Sequence, residues 1–77
     1  MKTLKIGKLY RIKISNWPWY NSIRGTKRIG LIPKGIILIL DSSFDRDETI
    51  VYKILVKDTV GWFWYRGEYE DFTEIKL

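Results

Sequence analysis

The side chains best suited to chemistry in this chain are aromatic and cationic. They fall in two groups, Trp17, Trp19 and Tyr20 with Arg24, Lys27 and Arg28, and then Trp62, Phe63, Trp64 and Tyr65. Flat rings next to cations can stack on a base, a sugar or a peptide proline while the cations pair with phosphates or carboxylates. Pro18 stiffens the first group by fixing its own φ and restricting Trp17, so little entropy is lost when a ligand docks. The bland reading of the first group is that one Trp folds back to cap an open barrel end. For the second group it is cross-strand pairing with Tyr52 or the basic first strand. Period-two alternation puts Phe63 and Tyr65 on one face and Trp62 and Trp64 on the other, so one pair must form an outward aromatic patch.

Catalysis has little to work with. The 77 residues contain no cysteine and no histidine, which removes disulfides, thiolate and imidazole metal sites, and His-based acid–base or nucleophilic chemistry. The carboxylates Asp45, Asp47 and Glu48, and later Glu68, Glu70 and Asp71, lack the spacing of a calcium loop and read as solvated loops. Paired-carboxylate hydrolysis would need a cleft larger than so small a domain offers. The expectation is a non-enzymatic protein with no cofactor and no metal.

Charge is divided along the chain. Residues 1–40 carry nine basic side chains and no acidic one, whereas residues 41–77 carry all nine carboxylates, from Asp41 to Glu74, and five basic residues. The halves are +9 and −4, giving the net +5. An acidic partner is one implication; pairing of the two halves across strands is the other.

The elements that must position these groups are strands. Residues 8–14 alternate Tyr10, Ile12 and Ile14 with Arg11 and Lys13, which is a half-buried strand. A long loop over residues 15–28 holds the first aromatic and basic group. A short strand at 29–32, a Pro33-Lys34-Gly35 turn and a buried strand at 36–40 follow. After a polar loop at 44–48, the longest strand is expected at 49–57, joined through Asp58-Thr59 to a strand at 60–65. A short 3₁₀ turn at 67–71 precedes a closing strand at 72–76. No segment has a sustained helical period, so five or six short antiparallel strands predict a single small barrel or sandwich over residues 1–77. A chain of this size rests on apolar burial, and an aromatic content of 16% supplies it. Dimerisation would add to that burial. No apolar run reaches membrane-spanning length, and residues 1–6 lack a signal-peptide core, so a soluble intracellular protein is expected.

The order of these pieces resembles the Src homology 3 (SH3) fold family. The resemblance is carried by Lys8-Leu9-Tyr10, by Lys34-Gly35-Ile36-Ile37-Leu38-Ile39-Leu40, by the loop at 41–48, and by Val60-Gly61-Trp62-Phe63-Trp64. Tyr69-Glu70-Asp71-Phe72-Thr73-Glu74-Ile75 supplies the closing turn and strand. The resemblance implies an SH3-like barrel with a 3₁₀ turn before its last strand. It is nearest to the diverged barrels of small bacterial and bacteriophage proteins, which implies the cytoplasm of a bacterium or of a phage-infected host.

The departures bear on function. Proline-peptide-binding members carry acidic residues in the first long loop, where this chain has Arg24, Lys27 and Arg28. They start the long strand with a groove-forming Trp, here Ile50-Val51, and follow Gly-Trp-Phe with a Pro, here Trp64. A tetrameric dihydrofolate reductase with a related barrel lines its pore with a Val-Gln-Ile-Tyr segment, and this chain has no glutamine. The leading expectation is therefore a protein-binding module using Trp17, Trp19, Tyr20, Arg24, Lys27, Arg28, Trp62 and Trp64. The alternative is a basic nucleic-acid-binding barrel, with Trp17 and Trp19 stacking on bases.

Overall fold

The computed structural model describes residues 3–24, 27–67 and 69–76; Met1, Lys2, Gly25, Thr26, Glu68 and Leu77, which the sequence reading included, lie outside them. The elements in order are β1 (Leu9–Ile12), β2 (Pro18–Tyr20), β3 (Arg28–Leu31), β4 (Gly35–Phe44), β5 (Ile50–Val56) and β6 (Thr59–Tyr65). A 3₁₀ turn (Tyr69–Asp71) then leads into β7 (Phe72–Ile75). All strands pair antiparallel in one sheet of order β3-β2-β6-β5-β4-β1-β7. The expected all-β architecture, with a 3₁₀ turn before the last strand, is what the chain forms. Among the described residues no helix is long and apolar enough to cross a membrane.

Among the described residues seven strands form where five or six were expected. The extra one is β2, inside the segment read as a loop, where Trp19 turns inward between half-buried Pro18 and Tyr20. Two further strands differ from expectation by more than one residue at an end. β1 stops at Ile12 rather than residue 14. β4 is the longest strand, because it runs on through Asp41-Ser42-Ser43 to Phe44. Those polar residues have low strand propensity, but pairing with β5 at Asp41↔Lys53, Ser42↔Tyr52 and Ser43↔Val51 overrides it.

A bulge makes that extension workable. Ile39 pairs with Ile54 and Asp41 with Lys53, leaving Leu40 as an additional residue on β4. Ile37 and Ile39 face the core. Without the bulge, alternation would point Asp41 inward as well; with it, the carboxylate emerges on the outer face opposite Lys53.

The core explains why the sheet curls. Phe72 on β7 lies at one end of the strand order, yet its ring stacks on Phe63 of β6 at 5.8 Å and meets Tyr65 at 5.9 Å. Trp17 covers the same ring at 4.9 Å. Tyr52 packs on both Phe63 and Tyr65. The segment before β1 closes one end through Leu4, which is buried. Its N–H donates to the Tyr52 hydroxyl at 2.8 Å, and that hydroxyl donates to the Leu4 carbonyl at 3.2 Å. The Lys5 N–H donates to the Tyr10 hydroxyl at 2.8 Å. Burial pushes the pKa of both tyrosines above the ordinary value near 10, and the backbone hydrogen bonds only partly oppose this.

Candidate functional site: an aromatic groove between β2, β6 and the β4–β5 loop

Strand alternation sorts the aromatic residues of β6 as the sequence predicts. Gly61, Phe63 and Tyr65 face the core, and Trp62 and Trp64 face outward, each half-buried. Tyr20 pairs with Trp62 across β2 and β6, so three rings share the outer face. Tyr20 meets Trp64 edge-on, with centroids 5.3 Å apart and planes at 90°, the arrangement in which the ring edge meets the opposing π-face. The Lys53 ammonium lies 5.6 Å from the Trp62 ring, within cation–π range.

Trp64 is fixed at its polar end too. Its indole N–H donates to Asp45 Oδ2 at 2.9 Å. The other oxygen of that carboxylate, Oδ1, accepts the N–H groups of Asp47 at 2.9 Å and Thr49 at 3.0 Å. The Asp45 N–H donates to the Thr49 carbonyl, the Glu48 N–H donates to the Asp45 carbonyl, and Glu48 takes a left-handed φ of 62°. One carboxylate thus folds the β4–β5 loop and holds the Trp64 ring, with charge-assisted hydrogen bonds on both oxygens.

These contacts wall a groove of about 590 Å³, with Asn16, Trp17, Pro18 and Tyr20 on one side and Asp45, Trp64 and Arg66 on the other. Its lining combines aromatic rings with an amide, a carboxylate and a guanidinium. This is the composition of a site that buries an apolar group and orients it by a few polar contacts. Nothing in the lining resembles a nucleophile with its base, and the Asp45 carboxylate is already engaged by three N–H groups.

The residues singled out from sequence separate into five places. Tyr20 and Trp64 form the groove wall. Trp17 contributes an edge to the groove while the ring itself is buried against Phe72. Trp19 is a core residue, 4% exposed. Its ring lies against Gly61, where an added Cβ would sit 2.4 Å from Trp19 Cε3. Trp62 stands on the outer face beside Lys53. Arg24, Lys27 and Arg28 are exposed around the β2–β3 hairpin and do not line the groove.

Asp45 and Arg66 are groove residues that sequence reasoning left out. The run Asp45-Arg46-Asp47-Glu48-Thr49 carries a local signal, because an Asp followed by backbone N–H groups two and four residues on favours such a turn. No local signal marks its reach across 19 residues to Trp64. Comparison with family models, with curated proteins and with solved structures finds no match for this chain.

Proposed function

We propose that this chain is a non-enzymatic binding module that seats a segment of a protein partner in the Trp64–Tyr20 groove. The observation that carries the reading is the preorganisation of Trp64, held by a T-shaped contact with Tyr20 and by Asp45 at its indole N–H. A ring already fixed loses little conformational freedom on binding, and aromatic anchors in such settings dominate interface energetics. The order of strands and motifs that resembles SH3-like barrels of bacteria and phages supports a partner in the cytoplasm of a bacterium or an infected host. The nucleic-acid alternative draws on the cations of residues 1–40, but burial of Trp17 and Trp19 leaves Tyr20, Trp62 and Trp64 as its stacking faces.

The test is affinity capture from lysate of the source cell with the wild-type chain, Trp64→Ala and Trp62→Ala, each checked for a cooperative melt. A protein retained by wild type and Trp62→Ala but lost with Trp64→Ala supports the groove. Equal capture by all three overturns it. In parallel, binding to duplex DNA with a log–log salt slope near −4.5, as expected for about five neutralised phosphates, would favour the alternative.

A further inference from the structure

β3 is the edge of the sheet that its sequence leaves open. It pairs with β2 on one side, and among the described residues no strand pairs with the other side. The register shows which backbone groups face outward. The Ile32 N–H donates to the Trp17 carbonyl, and Gly30 pairs with Trp19, so these residues turn their polar groups toward β2. Leu31 lies between them opposite Pro18, which has no N–H to give. Antiparallel alternation therefore points the Leu31 N–H and C=O out to the open edge.

The side chains around that edge have a definite character. Leu31 is 47% exposed and shares its face with groove-lining Pro18, so the edge continues the lip of the groove. Ile29 is 40% exposed. Lys27 and Arg28 flank the edge at one end and Lys34 at the other, all exposed, in a half-chain without a single carboxylate. Cations on an edge repel a second copy of the same edge and attract a strand of opposite charge.

We propose that the β3 edge accepts an extended acidic segment of a partner protein as an added strand, with Lys27, Arg28 and Lys34 pairing its carboxylates and Leu31 its apolar side chains. The added strand takes its affinity from main-chain hydrogen bonds at Leu31 and its selectivity from charge. This rests on the reading of the chain as a protein-binding module, and it gives the basic hairpin a role that the groove does not.

The test uses the full chain, ¹⁵N-labelled, titrated with three synthetic peptides about ten residues long. One alternates Val with Glu, one alternates Val with Lys, and the third is the Glu peptide N-methylated at alternate backbone positions. The Glu peptide should shift the amides of Arg28 to Leu31 and slow exchange of the Leu31 amide. Its affinity should fall about tenfold in Lys27→Glu/Arg28→Glu, whose rim charges act by attraction. The N-methylated peptide should bind at least about tenfold more weakly, since it cannot complete the ladder. Leu31→Pro removes an N–H that β2 does not use and should weaken the Glu peptide without changing the melting temperature by more than a few degrees.

Equal binding of the Lys peptide or of the N-methylated peptide overturns the proposal, as does absence of binding by all three. Shifts confined to Trp64 and Asp45 overturn it while leaving the groove reading intact. A concentration-dependent dimer lost in Leu31→Pro would assign the edge to a second copy and overturn it too.

Discussion

Replacing Gly61 by Ala tests how the core supports the groove. A Cβ at residue 61 would lie 2.4 Å from Trp19 Cε3, 2.9 Å from Cζ3 and 2.9 Å from Ile29 Cδ1, where ordinary contact begins at 3.4 Å. The Trp19 ring must therefore retreat by about 1 Å, far up the repulsive wall for a buried side chain. Burial of a Trp removes roughly 150–250 Å² from water, worth about 4–6 kcal/mol at about 25 cal/mol per Å². Loss of about half of that contact costs about 2–3 kcal/mol. Ala recovers about 0.5–1 kcal/mol of backbone entropy relative to Gly, and Gly61 does not take a left-handed φ that would oppose it. The net expectation is a loss of about 1–2.5 kcal/mol, read by urea denaturation as a lower midpoint at unchanged slope. The cause is checked by a double-mutant cycle with Trp19→Leu, in which Gly61→Ala should cost less than about 0.5 kcal/mol because the clashing ring is gone. A neutral Gly61→Ala, or the same cost in both backgrounds, would refute the packing argument. Trp19 sits between groove residues Pro18 and Tyr20, so Gly61→Ala should also weaken partner capture.

Further outcomes follow from the polar anchors and turns. Tyr52→Phe leaves the Leu4 N–H and C=O buried without the hydroxyl, and should cost about 1–3 kcal/mol by thermal melt. Tyr10 and Tyr52 have folded pKa values raised by burial, so their neutral forms are the stable ones inside. That contribution is fully present below about pH 10, and it is lost as pH rises through the folded values. Denaturant midpoints should therefore hold steady to about pH 10 and fall above it. Asp45→Ala removes the acceptor for Trp64, Asp47 and Thr49, and should cost about 1–3 kcal/mol and move the Trp64 indole proton resonance upfield. Lys57 carries φ 57° in the two-residue turn between paired Val56 and Thr59, while Asp58 does not take a positive φ. That is the pattern of a type II′ turn, which favours Gly at its first central position. Lys57→Gly should raise stability by about 0.5–1 kcal/mol.

What was legible in the sequence was mostly what strand periodicity controls. Tyr10 and Ile12, and Tyr52, Ile54 and Val56, face inward as their spacing predicts, and Phe63 and Tyr65 share one face of β6 as alternation requires. Trp62 and Trp64 share the other face; alternation leaves open which pair faces outward, and the packing of Phe63 and Tyr65 on Phe72 decides it. The Pro33-Lys34-Gly35 break and the closing 3₁₀ turn were legible from turn chemistry. Trp19 was not, because a three-residue strand in a Pro-containing segment is too short for periodicity to register. Its burial depends on Gly61 being without a side chain 42 residues later. The strand path through Asp41-Ser42-Ser43 was hidden as well, since only the Leu40 bulge makes those residues compatible with pairing to β5. The groove depends on a contact between Asp45 and Trp64 that no local pattern encodes.

Incorporation of 5-fluorotryptophan gives four resonances in four different settings: Trp17 at the groove edge, Trp19 in the core, Trp62 beside Lys53 and Trp64 in the groove wall. Titration of the labelled chain with the captured partner, with assignments made by single Trp→Phe replacements, tests the central claim most directly. The Trp64 resonance should move most, Trp17 less, and Trp19 should stay in place. Saturable binding that shifts Trp62 and leaves Trp64 unmoved would contradict the groove as the binding site.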